Sequence, residues 1–284
     1  MRFLSVALLL ALLALSYVSA RPLAEKHYQT AFSTFAKKFA KKYTNDEFFP
    51  RYNIFKDNFD KIRKHNANNA SYSMAINEFA DMTFREFHSK MTGYNWRERN
   101  YLRAKNNHGP HLHVKAAPAA VDWRTKNAVT PVKNQGQCGS CWSFSSTGST
   151  EGAWAIAKGN LVSLSEQQLI DCSTAQGNQG CNGGLMDQAF QFIIQNKGIC
   201  SEASYPYTTS GPNTCQTTCT PVATISSYVD VTASSELALK NAVSLGPVSV
   251  AIEADQECFQ FYSGGVLSDP SCGTQLDHGV NGRK

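Results

Sequence analysis

The chain has 284 residues, 42% of them apolar and 17% charged, a balance that excludes wholesale disorder and allows one large domain or two ordinary ones. Its net charge of +5 hides two blocks of opposite sign: residues 1–116 carry 19 basic and 9 acidic side chains, residues 117–284 carry 8 and 13. Opposed blocks point to halves that meet each other rather than to a nucleic-acid partner, which would want basic residues on a folded face with aromatics between them.

At the N-terminus, Met1-Arg2 precedes an apolar run from Phe3 to Leu15 and the small-residue stretch Ser16 to Ala20, predicting a signal peptide over 1–20 with cleavage after Ala20. No other run approaches the roughly 18 apolar residues of a membrane span, so the mature chain is expected to be secreted or carried to a lysosome-like organelle. Tyr28, Phe32, Phe35 and Phe39 then recur at helical spacing. After the polar turn Thr44-Asn45-Asp46, a longer helix is predicted with Tyr52, Phe55, Phe59 and Ile62 as its apolar stripe. It runs into an Asn-rich stretch in which Asn69-Ala70-Ser71 is a glycosylation sequon. Residues Tyr94 to Ala116 are polar and aperiodic, and read as an extended linker. His108, His111 and His113 lie there without a cysteine or carboxylate nearby, so no metal site is expected of them.

The acidic half opens with a loop rich in Gly, Gln and Asn and continues into a helix from about Cys141 to Lys158 that stops at Gly159-Asn160. Ser165 with Gln168 forms a predicted capping box for a short helix through Cys172. Leu185, Met186, Ala189, Phe190, Ile193 and Ile194 mark a third helix, ending at Gly198. Beyond Pro221 the texture is of strands, with Val248, Val250 and Ile252 alternating after Gly246-Pro247. Helices first and strands later predict an α+β arrangement of two lobes. All nine cysteines lie in this half, which fits disulfides in an oxidising compartment, and an odd number leaves at least one thiol outside the internal pairs.

The chemistry concentrates in Gln135-Gly136-Gln137-Cys138-Gly139-Ser140-Cys141-Trp142, where a cysteine begins a helix. Unpaired backbone N–H groups and the positive end of the helix dipole favour thiolate over thiol there, and the thiolate is the nucleophile. His278, in Leu276-Asp277-His278-Gly279, supplies an imidazole to pair with it and to protonate a leaving group. The Gln135 amide and the Cys141 N–H are candidate donors to an oxyanion. Cys138 and Cys141 also form a C-x-x-C, so thiol–disulfide exchange is the competing enzyme chemistry.

On these residues the chain resembles the papain family of cysteine proteases, of the cathepsin L type. Glu47, Arg51, Phe55, Asn58, Ile62 and Asn66 are similar to the six-residue helical motif of the family's inhibitory propeptide. Asn77 to Asp81 resembles its second motif, and Ala119 to Arg124 the start of its mature enzyme. The resemblance implies a papain-like two-lobe fold, a helical left lobe and a β-rich right lobe, behind a helical propeptide. Its boundaries are a propeptide over 21–116 and a peptidase domain over 117–284. It implies an acid-activated cysteine endopeptidase with Cys141 as nucleophile, His278 as acid/base and Gln135 as oxyanion donor. Gly183 and Gly184 would align an extended substrate, while Leu185, Met186, Ala251 and Leu276 would line the pocket for the side chain before the cleaved residue and favour bulky apolar groups. Cys138 would pair with Cys181 and Cys172 with Cys215. The partners expected are protein or peptide substrates and the chain's own propeptide, on a monomer with no cofactor and no metal.

After Val280 the family continues through further strands to an Asn that orients the imidazole, whereas this sequence ends at Asn281-Gly282-Arg283-Lys284. The β-rich lobe is therefore expected to be incomplete, and Asn281, three residues after His278 on a strand, to point away from it. Cys272 lacks its family partner and is left with Cys258, outside the family pattern, as an alternative. Cys200 and Cys219 are also extra. The second functional reading is a catalytically inactive, truncated homologue whose propeptide inhibits related cysteine proteases.

Overall fold

In a computed structural model, the structure describes residues 22–68, 70–95 and 117–282. The predicted signal peptide, the Asn69 sequon, the three linker histidines and the last two residues lie outside the described residues. The chain divides into two compact units that do not follow its linear order: residues up to His88 with Asp255–Gly273, and Ser89–Ala254 with residues from Thr274 on. A stretch of each sequence half is thus built into the unit of the other.

The first unit begins with helices α1 (Glu25–Lys38) and α2 (Asn45–Ala67). Thr44 and Glu47 cap α2 reciprocally, each side chain serving the other's backbone N–H, which satisfies two of the helix's orphan donors. The apolar stripes face each other: the Phe32 ring lies 5.3 Å from Phe55, Phe35 lies 5.0 Å from Phe55, and Phe55 is fully buried. Two polar residues of α2 tie it to the chain just downstream. Buried Asn58 donates to the carbonyls of Ala80 (3.0 Å) and Met82 (2.9 Å), and Asn66 donates to the Met74 carbonyl while accepting its N–H. Arg51 holds Glu86 through two 2.8 Å bonds, and this pairing lowers the Glu86 carboxyl to about 2. Strand β1 (Tyr72–Met74) is followed by α3 (Phe84–Met91). Downstream, α8 (Glu257–Gln260) and β3 (Tyr262–Gly265) complete this unit, with β1 antiparallel to β3 and Tyr72 opposite Gly265. Cys258 and Cys272 are bonded to each other, which answers the open pairing of Cys272.

In the second unit, α4 (Cys141–Lys158) is central and ends, as its sequence predicts, at Gly159 in the left-handed conformation. Around it pack α5 (Glu166–Cys172) and α6 (Met186–Gln195), with Trp142, Leu164, Leu169, Ile170, Leu185 and Ile193 buried between them. Disulfides Cys138–Cys181, Cys172–Cys215 and Cys200–Cys219 staple this lobe and leave Cys141 as its free cysteine.

Two sequence expectations need correction. Ser165 caps α5 by accepting the Gln168 N–H at 3.0 Å, but the Gln168 side chain does not return to Ser165. Its Oε1 accepts the Cys200 N–H at 2.8 Å, because tertiary contact offers a buried donor that outcompetes the local one. The region beyond Pro221, read as strands, contains helix α7 (Glu236–Leu245), capped by Ser235 through the Ala238 N–H. Strand β2 (Val248–Ile252) comes next, as predicted, and pairs antiparallel with β4 (His278–Gly282), Ile252 opposite His278. Among the described residues this lobe's sheet has two strands.

Candidate active site

Cys141 is the first residue of α4, so its backbone N–H has no acceptor within the helix. The Cys138–Cys181 bridge fixes the preceding loop, and the Gly139 N–H donates to the Cys181 carbonyl at 3.0 Å. Gln135 is placed by its backbone, whose carbonyl accepts the Tyr207 hydroxyl at 2.6 Å, while that hydroxyl lies 2.8 Å from Ser140 Oγ. His278 starts β4. The next residue, Gly279, donates its N–H to Cys141 Sγ at 3.3 Å, which brings the start of the strand to the start of the helix. A Cβ at Gly279 would lie 3.4 Å from Trp142 Cα, so the strand lies flat against α4.

This constellation is occupied by the chain's own residues 91–95. The Gln135 amide donates to the Met91 carbonyl at 3.1 Å. The N–H groups of Gly93 and Tyr94 donate to the Asp277 carbonyl at 3.1 and 2.9 Å. Gly184 donates to the Gly93 carbonyl at 2.9 Å and accepts from the Asn95 N–H at 3.4 Å, making a parallel bridge with Tyr94. A Cβ at Gly93 would come within 2.0 Å of the Gly139 carbonyl oxygen, and one at Gly183 within 2.8 Å of Gly93 O, so backbone meets backbone only because these residues lack side chains. The sequence pattern puts Tyr94 at the start of a linker. Instead it is buried in an apolar socket.

Tyr94, Met186, Phe190, Ile225, Ala251 and Leu276 are among the residues lining a cavity of about 780 Å³. Leu185 does not line it. Its side chain is fully buried in the core and its N–H is held by Asn178 Oδ1 at 2.9 Å. Asn178 and Asp277 are the structural residues that sequence reasoning missed. Asn178 braces the turn carrying Gly183 and Gly184, and Asp277 accepts the Ala254 N–H at 2.9 Å beside His278. The partners of Asn178, the Ser173 hydroxyl and the Leu185 N–H, are only five and seven residues away, but they lie in irregular turns with no helical or strand period to mark them. Asp277 stands next to His278 in the sequence, a signal that could have found it.

With the segment in place, burial pushes the Cys141 thiol up to about 11 despite hydrogen bonds from Gly279, Trp142 and Gly93. The same burial pulls the His278 imidazole down to about 4, against a hydrogen bond to the Met91 backbone. The sequence leads one to expect a thiolate at the helix N-terminus. In this closed state desolvation outweighs that stabilisation, so thiol and imidazole are both neutral between those values.

Two family models match the chain: papain family cysteine protease over residues 117–282 and cathepsin propeptide inhibitor domain over residues 32–87. Cysteine proteinase 2 of Dictyostelium discoideum is 46% identical over 99% of this chain and 77% of its own length. Among solved structures, digestive procathepsin L 3 from the larval midgut of Tenebrio molitor superposes with a TM-score of 0.80 at 44% identity, covering 89% of this chain and 83% of that one. A recombinant stem bromelain precursor gives 0.81 at 37% identity, covering 89% and 81%. No described helix is long and apolar enough to cross a membrane.

Proposed function

Since the chain belongs to the papain family of cysteine proteases and is a proenzyme carrying that family's propeptide, we propose that Cys141, His278 and Gln135 carry its peptide hydrolysis and that residues 21–116 hold it inactive. The observation that carries this reading is that the groove around Cys141 already holds a peptide, with a main-chain carbonyl on the Gln135 amide. Once the segment leaves, Cys141 transfers its proton to His278, and Sγ attacks a substrate carbonyl carbon. The oxygen of that carbonyl takes the negative charge, held by the Gln135 amide and the Cys141 N–H. The imidazolium gives its proton to the departing amine, and water then cleaves the thioester to release the acid and free thiol. Gly183 and Gly184 align an extended substrate. The socket that takes Tyr94 supports a preference for bulky apolar side chains before the cleaved residue.

Acid activation rests on the carboxylates of the acidic half, whose protonation weakens their attraction for the basic half. The Cys141–His278 pair is not the trigger, because a proton passed from the thiol to the imidazole on opening is not taken from solvent. The Arg51–Glu86 pair is no such trigger, because Glu86 stays ionised down to about pH 2. Processing in an acidic, lysosome-like compartment or after secretion fits this behaviour, and the enzyme acts as a monomer, which gel filtration tests.

Acidifying the purified full-length chain with an epoxide selective for activated protease thiols should label a species of mature size. The label should be absent from Cys141→Ala and at least about a hundredfold slower in His278→Ala. A folded, soluble chain that takes no label would overturn the enzyme reading and leave a propeptide-bearing homologue that inhibits its relatives.

A further inference from the structure

We infer that Ser145 and Ser249 form a positioning clasp that sets the register of His278 against Cys141, an inference resting on the catalytic reading of those two residues. Nucleophile and imidazole sit on different elements, at the start of α4 and the start of β4, and their alignment depends on how far the β2–β4 ribbon slides along the helix. The surfaces along that seam are smooth. Gly279 on the strand lies flat against the Trp142 backbone, and a Cβ on Gly148 of the helix would come within 3.2 Å of the Asn281 side chain. Gly152, one turn further, is closed off by the Pro247 ring, 2.5 Å from where its Cβ would be. Glycine faces permit close approach, and apart from the Pro247 ring at Gly152 and Met186 at Gly279 they offer little to interlock, so packing alone opposes sliding weakly.

Directional hydrogen bonds supply the missing register. Ser145 lies four residues beyond Cys141, on the same face of α4. Its Oγ donates to the Val280 carbonyl at 2.7 Å, two residues past His278. From β2, the Ser249 Oγ donates to the Ser145 carbonyl at 2.8 Å and lies 2.8 Å from Ser149 Oγ. Asn281, opposite Ser249 in the ladder, donates to the same carbonyl at 3.4 Å. Helix residue 145 is therefore stitched to both strands of the ribbon that carries His278, and Ser145 is buried, where water does not compete. Asn281 reaches the helix seam through that bond and takes part in the clasp.

The test is the pH profile of Cys141 alkylation by iodoacetamide in the acid-treated full-length chain, read by intact mass. An aligned pair retains thiolate on the acid side, so the wild type should alkylate at pH 5, while a misaligned thiol should alkylate only as pH approaches its free value near 8.5. The Ser145→Ala/Ser249→Ala double variant should lose about ten- to a hundredfold in rate at pH 5, yet match the wild type above pH 9. Ser249→Ala alone, at a half-buried strand position, should show the same change in smaller measure if the double variant fails to fold, and Ser249→Thr, which keeps the hydroxyl, should restore the wild-type profile. Folded alanine variants that keep the acid-side rate overturn the clasp and leave the catalytic reading standing. A wild type without acid-side alkylation overturns both.

Discussion

Helices α2 and α4 bury themselves by different means. In α2, the residues that disappear from solvent are Phe55, Asn58 and Ile62, one stripe of a helix whose other face is polar. In α4, ten residues are buried, and six of them are Ser143, Ser145, Ser146, Thr147, Thr150 and Glu151. An apolar stripe needs only another apolar surface, so α2 finds its place through ring contacts with α1. Buried hydroxyls and carboxylates need specific partners: Ser143, Ser146 and Thr150 find theirs in carbonyls of the preceding turn, while Ser145, Thr147 and Glu151 obtain them from distant segments. Lys133 reaches Glu151 at 2.9 Å and Glu166 at 2.6 Å, Thr130 donates to Glu151, and the Leu164 N–H completes the set. A helix that begins at Cys141 is thereby fixed in rotation and translation, where an apolar stripe alone tolerates repacking.

Paired substitutions in the two helices sharpen this contrast. Phe55→Ala and Glu151→Ala should each cost about 3–5 kcal/mol in urea unfolding, the first by leaving a cavity and the second by leaving Lys133 and a backbone donor short of a partner. Their rescues should differ. Phe55→Leu should recover most of the loss, whereas Glu151→Leu, close in volume, should not, and an equal recovery in both would erase the distinction drawn between the helices.

Glu166 gives a pH-dependent test of the buried cluster. Burial, with repulsion from Glu151, pushes its carboxyl up to about 7, against the attraction of Lys133. The folded chain therefore binds this proton more tightly than the unfolded one. The resulting stability is fully present below about pH 4.5 and is lost as pH rises through 7. Thermal unfolding of wild type should show this contribution as a Tm that falls between pH 5 and 8. Glu166→Gln should flatten that fall, and an unchanged slope would place the titration elsewhere.

The smallest effects belong to the caps. Thr44→Ala and Ser165→Ala should each cost about 1 kcal/mol. Glu47→Ala should act only at the start of α2, while Gln168→Ala should raise amide exchange at Cys200, because its side chain serves that distant N–H.

Much of the first unit was legible in the sequence. The spacing of Phe32, Phe35, Phe55 and Ile62 predicted two helices and their inner faces, and the second was bracketed by the turn at Thr44-Asn45-Asp46 and the Asn-rich stretch, where α2 begins and ends. The stop of α4 at Gly159 was equally plain, since a left-handed glycine is a local signal, and its start at Cys141 was read without a capping side chain, which the structure also lacks. Helix α7 was missed because its apolar residues mixed with a neighbouring run of strand-like texture, and the seating of Tyr94 because nothing local distinguishes a buried aromatic in a polar stretch from an exposed one.

By itself, the sequence determined which residues could do chemistry: a thiol at a helix start, a histidine flanked by a recognisable segment, glutamine ahead of a cysteine, and the inhibitory helices before them. Those are properties of residue type and near spacing, settled within a turn or two of chain. Only the tertiary structure decided that Met91 sits on Gln135, that burial keeps Cys141 and His278 neutral, that Leu185 faces the core instead of the pocket, and that serines on α4 and β2 hold the imidazole's strand in register. Each of these depends on groups remote in sequence excluding water from one another, and desolvation and hydrogen-bond partners exist only once the chain has folded.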